Sequence, residues 1–454
     1  MIRSVSLALL LSSFVSSTVF SSDPQPEVDA ISQEVMSNLS QGLPRLFGDN
    51  NINVEEKVVN LMDGQSARHF ALVCRKAYAL VIKRARVKLK SSINLESVEF
   101  LKLLHPKKLL QPNLQGLGFS FCNLYSPKSF FPLLENLTLL KELNLGNSTV
   151  GYHTWVNSLA AVIGKLTMLE TLILVDNKIG EPGLQILAPS LGRLTSLTTL
   201  GLGDNPIGPQ GMRLLAPELG KLTLLRALGL NKTELGDEGV KSFVPILGVL
   251  TSLRLLGLAN NSISFQGAQS LAPALGRLTS LTNLGLYWNN LGSQGVQSLA
   301  PALGKLTSLI SLGLADCKMG WGVYEKDLQG VQSLASELEK LILLTELGLS
   351  GNKIGPMGAL QLAPALGRLT SLTSLGLASN EIGPKGLTSL VPELKKLPFL
   401  TDLNLSYNSI GFLGFIYIKS AELFLRMPDA ILDLKENLIP DSVKKEQHPS
   451  YIKL

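Results

Sequence analysis

The sequence is poor in the residues from which catalytic and metal sites are usually built. Its 454 residues include three cysteines, four histidines and 17% charged residues. Cys74, Cys122 and Cys317 have no C-x-x-C spacing, so they predict neither a disulfide framework nor a zinc site. The histidines are scattered, and no Gly-rich phosphate loop, G-x-S-x-G or H-E-x-x-H motif occurs. We therefore expect no enzyme, no bound metal and no cofactor.

Long apolar runs and a strong charge imbalance are also missing. After residue 22, no apolar run approaches the roughly 20 residues that span a bilayer. The net charge of +6 is concentrated partly in VIKRARVKLK (81–90), and elsewhere both signs are mixed. We therefore expect no stable membrane span and no nucleic-acid partner. The 45% of hydrophobic residues indicates a large buried core.

The first residues are typical of a secretory signal peptide. Arg3 precedes an apolar stretch over residues 5–15, and Val19 and Ser21 are suitably placed for signal-peptidase cleavage. We therefore expect residues 1–22 to be a signal peptide and the protein to be secreted or exported. The alternative is a short buried or membrane-associated helix. Because free thiols suit a reducing compartment, an exported protein of this kind is also expected to be able to act in a host cytosol.

The pattern L-x-x-L-x-L-x-x-N recurs through most of the chain. Its first leucines are 28 residues apart in seven of the nine intervals between Leu140 and Leu400, and the other intervals are 29 and 35. Positions 3 to 7 of each unit alternate as a short strand requires, with Leu284 and Leu286 predicted to point inward. The second half, as in GSQGVQSLAPALGKL (292–306), has helical spacing. The period therefore predicts alternating strands and helices.

These units resemble the ribonuclease-inhibitor-like class of leucine-rich repeats, as LGDEGVKSFVPIL (235–247) and LGSQGVQSLAPAL (291–303) illustrate. The resemblance covers residues 114–440 and implies an α/β leucine-rich-repeat solenoid of about 12 repeats, a horseshoe with a parallel concave sheet and convex helices. A Ran-type GTPase activator also uses this repeat class, but its acidic tail is absent here. Prolines in the helical halves predict short or kinked helices. These prolines are Pro189, Pro217, Pro245, Pro273, Pro301, Pro364 and Pro392.

The ninth position of the repeat is asparagine in most units, and Cys122 and Cys317 replace it in two. A polar side chain at this position is expected inside the turn, where it can satisfy otherwise unpaired backbone groups. Both cysteines are therefore predicted to be structural rather than catalytic. At about 4.8 Å per strand they lie too far apart to form a disulfide.

The outward fifth position, in the middle of the predicted strand, is repeatedly glycine. A mid-strand glycine costs roughly 0.5–1 kcal/mol relative to alanine, so the repetition requires an explanation. One hypothesis is close approach of a ligand to a face without side chains. The favoured alternative is recent duplication, because segments 269–282 and 297–310 are nearly identical although far from that face. The glycines are at 118, 201, 229, 257, 285, 313, 348 and 376.

Against this uniform background, Tyr287 and Trp288 are conspicuous on the predicted concave edge. The next repeat carries the seven-residue insertion WGVYEKD (321–327), so two more aromatic residues are expected on the same rim. Exposed aromatic clusters are typical interface anchors. The alternative is that the aromatic pair packs against the inserted loop and holds it. The predicted partner-binding residues of the solenoid are Tyr287, Trp288, Trp321, Tyr324 and the flanking acids Asp176, Asp204 and Asp316.

Residues 52–90 have helical periodicity and precede the repeats. VVNLMDGQSARHFALVCRKAYAL resembles the second half of an F-box, which ends in an LVC-basic motif, although Leu43 and Pro44 lie too far upstream to be the family's opening Leu-Pro. The resemblance implies a substrate adaptor of a ubiquitin ligase that docks a Skp-type protein. The alternative is a helical cap on the first repeat. The implied docking residues are Val59, Leu61, Phe70, Leu72, Val73 and Arg75.

The sequence therefore predicts a monomeric, non-catalytic protein-binding scaffold whose protein target occupies the concave face or rim. Two functional hypotheses remain: an exported effector that links its target to a ubiquitin ligase, and a secreted binder without a ubiquitin role. The expected organisation is a signal peptide (1–22), a linker (23–51), an F-box-like segment or cap (52–113), the solenoid (114–440) and a tail (441–454).

Overall fold

In the computed structural model, the described residues are 88–91, 116–119, 131, 134–135, 137–147, 153–320, 328–420, 431–440 and 452–453. They belong to two compact units, Met1–Asn177 and Lys178–Leu454. The predicted signal peptide, the linker and nearly all of the F-box-like segment lie outside the described residues. From β3 to β13, as defined below, eleven strands alternate with ten helices along the described chain.

In the first unit, the described strands are parallel and pair in chain order. They are β1 (Lys88–Ser91), β2 (Gly116–Phe119), β3 (Glu142–Asn144) and β4 (Thr171–Ile173). Helix α1 (His153–Ile163) connects β3 to β4. Strand β1 lies inside the segment expected to be helical, so that expectation is wrong for Lys88–Ser91, and the sheet begins before residue 114.

The second unit repeats the same strand–helix module, and its strands again pair in parallel with their chain neighbours. The strands are β5 (Thr199–Gly201), β6 (Ala227–Gly229), β7 (Leu255–Gly257), β8 (Asn283–Gly285), β9 (Ser311–Gly313), β10 (Glu346–Gly348), β11 (Ser374–Gly376), β12 (Asp402–Asn404), β13 (Ile431–Asp433) and β14 (Ile452–Lys453). Strand β14 lies in the predicted tail, so the sheet extends past residue 440.

The helices of the second unit lie between consecutive strands, the first of them before β5. They are α2 (Glu181–Leu191), α3 (Gly208–Leu219), α4 (Gly236–Leu247), α5 (Phe265–Leu275), α6 (Gly292–Leu303), α7 (Gln329–Leu338), α8 (Gly355–Leu366), α9 (Gly383–Leu394) and α10 (Gly411–Ser420).

Leucines at positions 1, 4 and 6 of each repeat form the core between strands and helices. Leu281, Leu284 and Leu286 are at most 2% exposed, and the equivalent leucines of the neighbouring repeats are buried to the same degree. The predicted alternation is therefore confirmed. Fully burying one such side chain is worth about 1.5–3 kcal/mol, and each repeat contributes several of them.

The recurring prolines do not shorten the helices. Pro301 is the third residue from the end of α6, and the other helical prolines occupy the same position. Helix α7 has Ser336 there instead, yet it ends at the equivalent leucine, Leu338. The helices have 10–12 residues and are short, as expected, but each ends where the chain must turn towards the next strand, so proline is not what limits their length. In the last turn, proline removes only one hydrogen bond of a helix that is about to end.

The ninth-position asparagines form a buried ladder that joins one repeat to the next. The Nδ2 group of Asn380 donates to the carbonyls of Leu349 (2.9 Å) and Leu377 (3.0 Å). Its Oδ1 accepts from the backbone N–H groups of Asn352 (2.9 Å) and Ile354 (3.4 Å). One side chain therefore satisfies backbone groups in two successive repeats, which is the structural role expected from the sequence.

Candidate functional site

The eighth position of each repeat is a left-handed turn residue at the exit of the strand. Its φ angle is 52° at Asn260, 58° at Trp288 and 52° at Asp316. This conformation costs most L-residues roughly 1–2 kcal/mol and suits Gly, Asn and Asp better than bulky residues. A tryptophan in it is therefore unfavourable for the backbone alone.

Trp288 and Tyr287 form one exposed aromatic cluster in the second unit. Their rings meet edge to face at a centroid separation of 5.7 Å. Trp288 is 52% exposed and Tyr287 is 37% exposed. The indole Nε1–H of Trp288 donates to Asp316 Oδ2 at 2.9 Å. The acid predicted to flank the aromatic pair thus contacts it directly and fixes the orientation of the indole.

Glycines of the same repeat and of the two following repeats make room for this cluster. A Cβ atom on Gly313 would lie 3.1 Å from Tyr287 Cδ1, and one on Gly285 would lie 3.4 Å from Tyr287 Cε1. A Cβ on Gly351 would lie 2.0 Å from Asp316 Oδ1. Gly351 also has φ +72°, so two independent requirements favour glycine there. The Tyr287, Trp288 and Asp316 side chains therefore sit in a surface shaped to hold them.

The glycine stripe has a structural explanation at the seventh position. In β5 to β11 the glycines pair in register, strand after strand. A seventh-position side chain lies over the glycine of the following repeat: Asn231 over Gly257, Tyr287 over Gly313. Where the seventh residue is Gly203, the next glycine, Gly229, has only backbone atoms within 4 Å. The stripe is therefore partly covered by the chain's own side chains.

Of the remaining predicted site residues, the structure describes only Asp204 and Asp176. Asp204 is paired with Lys232 Nζ at 3.1 Å, three repeats from Trp288, which is roughly 14 Å at the spacing of paired strands. Asp176 belongs to the first unit. Trp321 and Tyr324 lie outside the described residues, as do the F-box-like positions Val59, Leu61, Phe70, Leu72, Val73 and Arg75.

Tyr407, the structural equivalent of Trp288, is not among the site residues predicted from the sequence. Tyr407 is 59% exposed and has φ 55°. The repeat alignment itself contained the signal, because Tyr407 directly precedes the ladder residue Asn408 as Trp288 precedes Asn289. It lies four repeats from Trp288 and makes no ring contact with another described aromatic residue.

Cys317 occupies the ladder position of its repeat and is buried. Its Sγ donates to the Leu286 carbonyl at 3.2 Å and also lies 3.5 Å from the Ala315 carbonyl oxygen. Burial raises the pKa of the Cys317 thiol to about 12, while a hydrogen bond from the Asn289 backbone opposes the shift. A thiol held protonated in this way is not a nucleophile, which agrees with the structural role predicted for it. Cys122 lies outside the described residues.

Metal ligands and membrane-spanning helices are both lacking in the part of the chain that the structure describes. In it, no group of three or more His, Cys, Asp or Glu side chains is arranged to hold a metal ion. No helix among the same residues is both long and apolar enough to cross a membrane.

Comparison with known proteins agrees with this architecture. The Leucine Rich repeat family model matches residues 165–188, 193–216, 340–363, 368–391 and 396–414. A crystal structure of an internalin from Listeria monocytogenes is similar, with a TM-score of 0.50 and 22% identity, covering 84% of this chain and 91% of that chain. No curated protein matches significantly. Parts of the chain thus match the leucine-rich-repeat family model, and its likeness to the internalin concerns the fold alone.

Proposed function

We propose that the protein is a non-catalytic binding scaffold that captures a protein partner through Tyr287, Trp288 and Asp316. The observation that carries the proposal is the exposed indole of Trp288 in a left-handed backbone conformation, oriented by a hydrogen bond to Asp316. Tryptophan and tyrosine are the side chains most enriched at binding hot spots, because they present large contact areas with few rotatable bonds.

The arrangement favours binding over a purely structural role for the aromatic pair. Half of the indole surface faces solvent, so the ring does not contribute much to the core. Its backbone conformation is unfavourable for tryptophan, and the neighbouring repeat has Asn260 at the same position. A residue that is unfavourable for the fold and open to solvent is most simply explained by an interaction with a partner.

The experiment compares partner capture by the wild-type chain and by Trp288→Asn, which installs the residue of the neighbouring repeat. The matched control is Tyr407→Asn, which removes an exposed aromatic residue from the same position of another repeat. We expect a specific protein partner to be lost with Trp288→Asn and retained with Tyr407→Asn. Calorimetric titration of the identified partner should then give a loss of about 2 kcal/mol or more, as for a hot-spot residue.

If both variants are folded and both retain the partner, Trp288 does not belong to the binding surface. Loss of the partner in both variants would instead mean that the site extends along the eighth positions to Tyr407. A conservative variant, Trp288→Phe, separates the hydrogen bond to Asp316 from the ring itself. We expect it to retain most of the binding, since the ring supplies the contact area.

A second hypothesis adds a ubiquitin-ligase role through the F-box-like segment. It rests on the resemblance of VVNLMDGQSARHFALVCRKAYAL and on its place before the repeats. The test is calorimetric titration of the protein without residues 1–22 against a purified Skp-type adaptor. Binding that Leu72→Asp and Val73→Asp abolish would support an adaptor. No heat with a folded protein would leave a secreted binder with residues 52–113 as a cap.

Export is a further part of the proposal, because residues 1–22 have the composition of a signal peptide. The test is N-terminal sequencing of the protein recovered outside the producing cell. A mature chain that begins near residue 22 supports export. A retained Met1 on an intracellular protein contradicts it.

A further inference from the structure

The middle of the repeat array is free of acidic residues. Residues 239–315 contain no aspartate or glutamate, whereas the chain average of 35 acids in 454 residues predicts about six in a stretch of that length. The same stretch contains Lys241, Arg254, Arg277 and Lys305. Lys241 is paired with Glu238 at 2.6 Å. The other three cations are exposed.

These three cations and Arg226 lie on one edge of the second unit, where helices end and strands begin. Arg226 and Arg254 occupy the second position of successive repeats, and the Arg254 N–H donates to the Arg226 carbonyl at 2.7 Å. Arg277 extends over the end of α4, with its Nη1 3.6 Å from where a Cβ of Gly248 would be. The segment that follows Gly248 leads directly to Arg254.

Lys305 repeats this arrangement one unit further along. Its Cδ lies 3.4 Å from where a Cβ of Gly276, the residue after α5, would be. Arg226, Arg254, Arg277 and Lys305 therefore define a continuous basic surface over consecutive repeats, here called the basic edge. It lies at the start of the strands, whereas Trp288 lies at their exit, roughly 20 Å away at 3.3 Å per residue.

In the flanking repeats, the equivalent cations form ion pairs with glutamates, whereas the cations of the basic edge form none within the described part of the chain. Lys221 is paired with Glu218 at 2.7 Å, and Lys340 is paired with Glu337 at 2.7 Å. The residues three before Arg277 and Lys305 are Ala274 and Ala302. Among the described residues, no ion pair involves any of the four cations of the basic edge.

Exposed aliphatic side chains alternate with these cations. Four of them lie on the same edge and are between 42% and 55% exposed: Leu224, Val249, Leu255 and Ile310. Val249 is the second residue after α4, at the position that Arg277 and Lys305 fill in the next two repeats. The edge thus combines unneutralised positive charge with apolar area.

We propose that the basic edge is a second docking surface, which binds an acidic, leucine-rich or isoleucine-rich polypeptide segment of a protein partner. The charge complement follows from four exposed cations that form no ion pair with a described residue, and the apolar complement follows from the aliphatic side chains between them. A nucleic acid is a poorer fit, because aliphatic side chains do not serve a phosphate backbone and, in the repeats that carry the four cations, the described part of this edge exposes no aromatic ring for base stacking.

The test measures fluorescence anisotropy of a fluorescein-labelled peptide of repeated Glu-Glu-Leu units on the full chain. The variant is Arg254→Glu/Arg277→Glu, and Arg254→Gln/Arg277→Gln serves if charge reversal disturbs folding. The matched control, Arg213→Glu/Lys385→Glu, makes the same change of net charge at exposed cations of helices α3 and α9, outside the acid-free repeats. Circular dichroism checks that each variant is folded.

We expect the variant to weaken peptide binding by about tenfold, as for the loss of two partly exposed charge pairs, and the control by less than about twofold. Poly-glutamate should bind more weakly than the Glu-Glu-Leu peptide, because it lacks apolar side chains. Equal losses in variant and control would reduce the effect to net charge and overturn the proposal. So would an absence of peptide binding, or equally tight binding of an oligothymidine. None of these results depends on Trp288.

Discussion

The eighth and ninth positions of each repeat are chain neighbours with opposite roles. At the ninth, Asn289 and Asn380 are almost completely buried and make the same set of backbone hydrogen bonds. At the eighth, Asn260, Trp288 and Ser379 differ in size and polarity although they share one backbone conformation. The scaffold therefore requires a hydrogen-bonding side chain at the ninth position, whereas at the eighth position it requires only a positive φ angle.

This difference indicates where the protein can change its partner without losing its fold. Replacing a ladder side chain removes hydrogen bonds in two repeats, because each asparagine connects neighbouring turns. Replacing an eighth-position side chain changes the exposed surface and alters stability only through its preference for positive φ. The four predictions below test the contrast, in order of decreasing effect.

The largest effect is expected for Asn380→Ala. The variant leaves two backbone N–H groups of buried turns, those of Asn352 and Ile354, without their partner. The carbonyls of Leu349 and Leu377 each lose one hydrogen bond and keep one from a neighbouring ladder asparagine. At about 1–3 kcal/mol for each unsatisfied buried group, partly relieved by relaxation, the free energy of unfolding should fall by about 3 kcal/mol or more. Urea unfolding followed by circular dichroism measures it.

The control for Asn380→Ala is Ser379→Gly at the adjacent eighth position. Because Ser379 has φ 54°, glycine relieves the backbone there, and the free energy of unfolding should change by less than about 1 kcal/mol. If both substitutions destabilised the protein equally, the contrast between the two positions would be wrong.

A pH-dependent effect is expected at Cys317, the ladder variant. Since its folded pKa of about 12 exceeds its ordinary value of 9.0, the unfolded chain loses the thiol proton first as the pH rises. The contribution of the protonated thiol to the free energy of unfolding is complete below pH 9. It declines from there until about pH 12, by about 1.4 kcal/mol per pH unit. Between pH 8 and 10.5, unfolding should become easier by about 2 kcal/mol.

Cys317→Ser isolates this contribution, because serine does not titrate in that range. The difference in unfolding free energy between wild type and Cys317→Ser is measured at both pH values, so that titration of lysines and tyrosines cancels. We expect the difference to shift in favour of the variant at the higher pH. A constant difference would mean that the thiol is accessible to water and ionises normally in the folded protein.

A smaller effect, of opposite sign, is expected at the eighth position. Trp288→Asn should raise the free energy of unfolding by about 1 kcal/mol, because asparagine tolerates φ 58° better than tryptophan does. The same variant should lose the partner, so that stability and binding change in opposite directions. A clear fall in stability would support the alternative role, in which the aromatic pair holds the inserted loop.

The smallest effects separate two glycines of the stripe. Gly229→Ala adds a methyl group at ordinary van der Waals distance from the neighbouring backbone and should stabilise the protein by about 0.5–1 kcal/mol. Gly257→Ala places a Cβ 2.7 Å from Asn231 Oδ1, which accepts from the Ala259 N–H at 2.9 Å, and should be destabilising. Thermal unfolding of the two variants measures the difference. Equal shifts would mean that seventh-position side chains do not explain the glycines.

The sequence was sufficient to predict the fold, because each repeat contains the pattern that its strand–helix geometry requires. A period of 28 residues, leucines at fixed positions and a polar ninth residue are each required by stacking of identical strand–helix modules. Helix ends were less predictable. The prolines suggested an early stop, but α7 without proline ends at the same place, since the turn into the next strand determines the end of the helix.

The candidate site was only partly predictable. Tyr287, Trp288 and Asp316 stand out from the repeat pattern in the sequence, but their mutual contacts depend on which residues of adjacent repeats become neighbours across the sheet. Asp204 has the same repeat position as Asp316 and nevertheless binds Lys232, because a lysine follows it one repeat later. The identity of the cross-strand neighbour decides whether an acid orients an indole or forms an ion pair.

By itself, the sequence determined the repeating module, its buried leucines and its asparagine ladder, because local periodicity and burial are properties of each 28-residue unit. Only the tertiary structure decided which side chain lies over which glycine, how Trp288 is oriented and where unneutralised cations collect. These features arise between repeats, from side chains about 28 residues apart that meet across parallel strands, and no single unit specifies them.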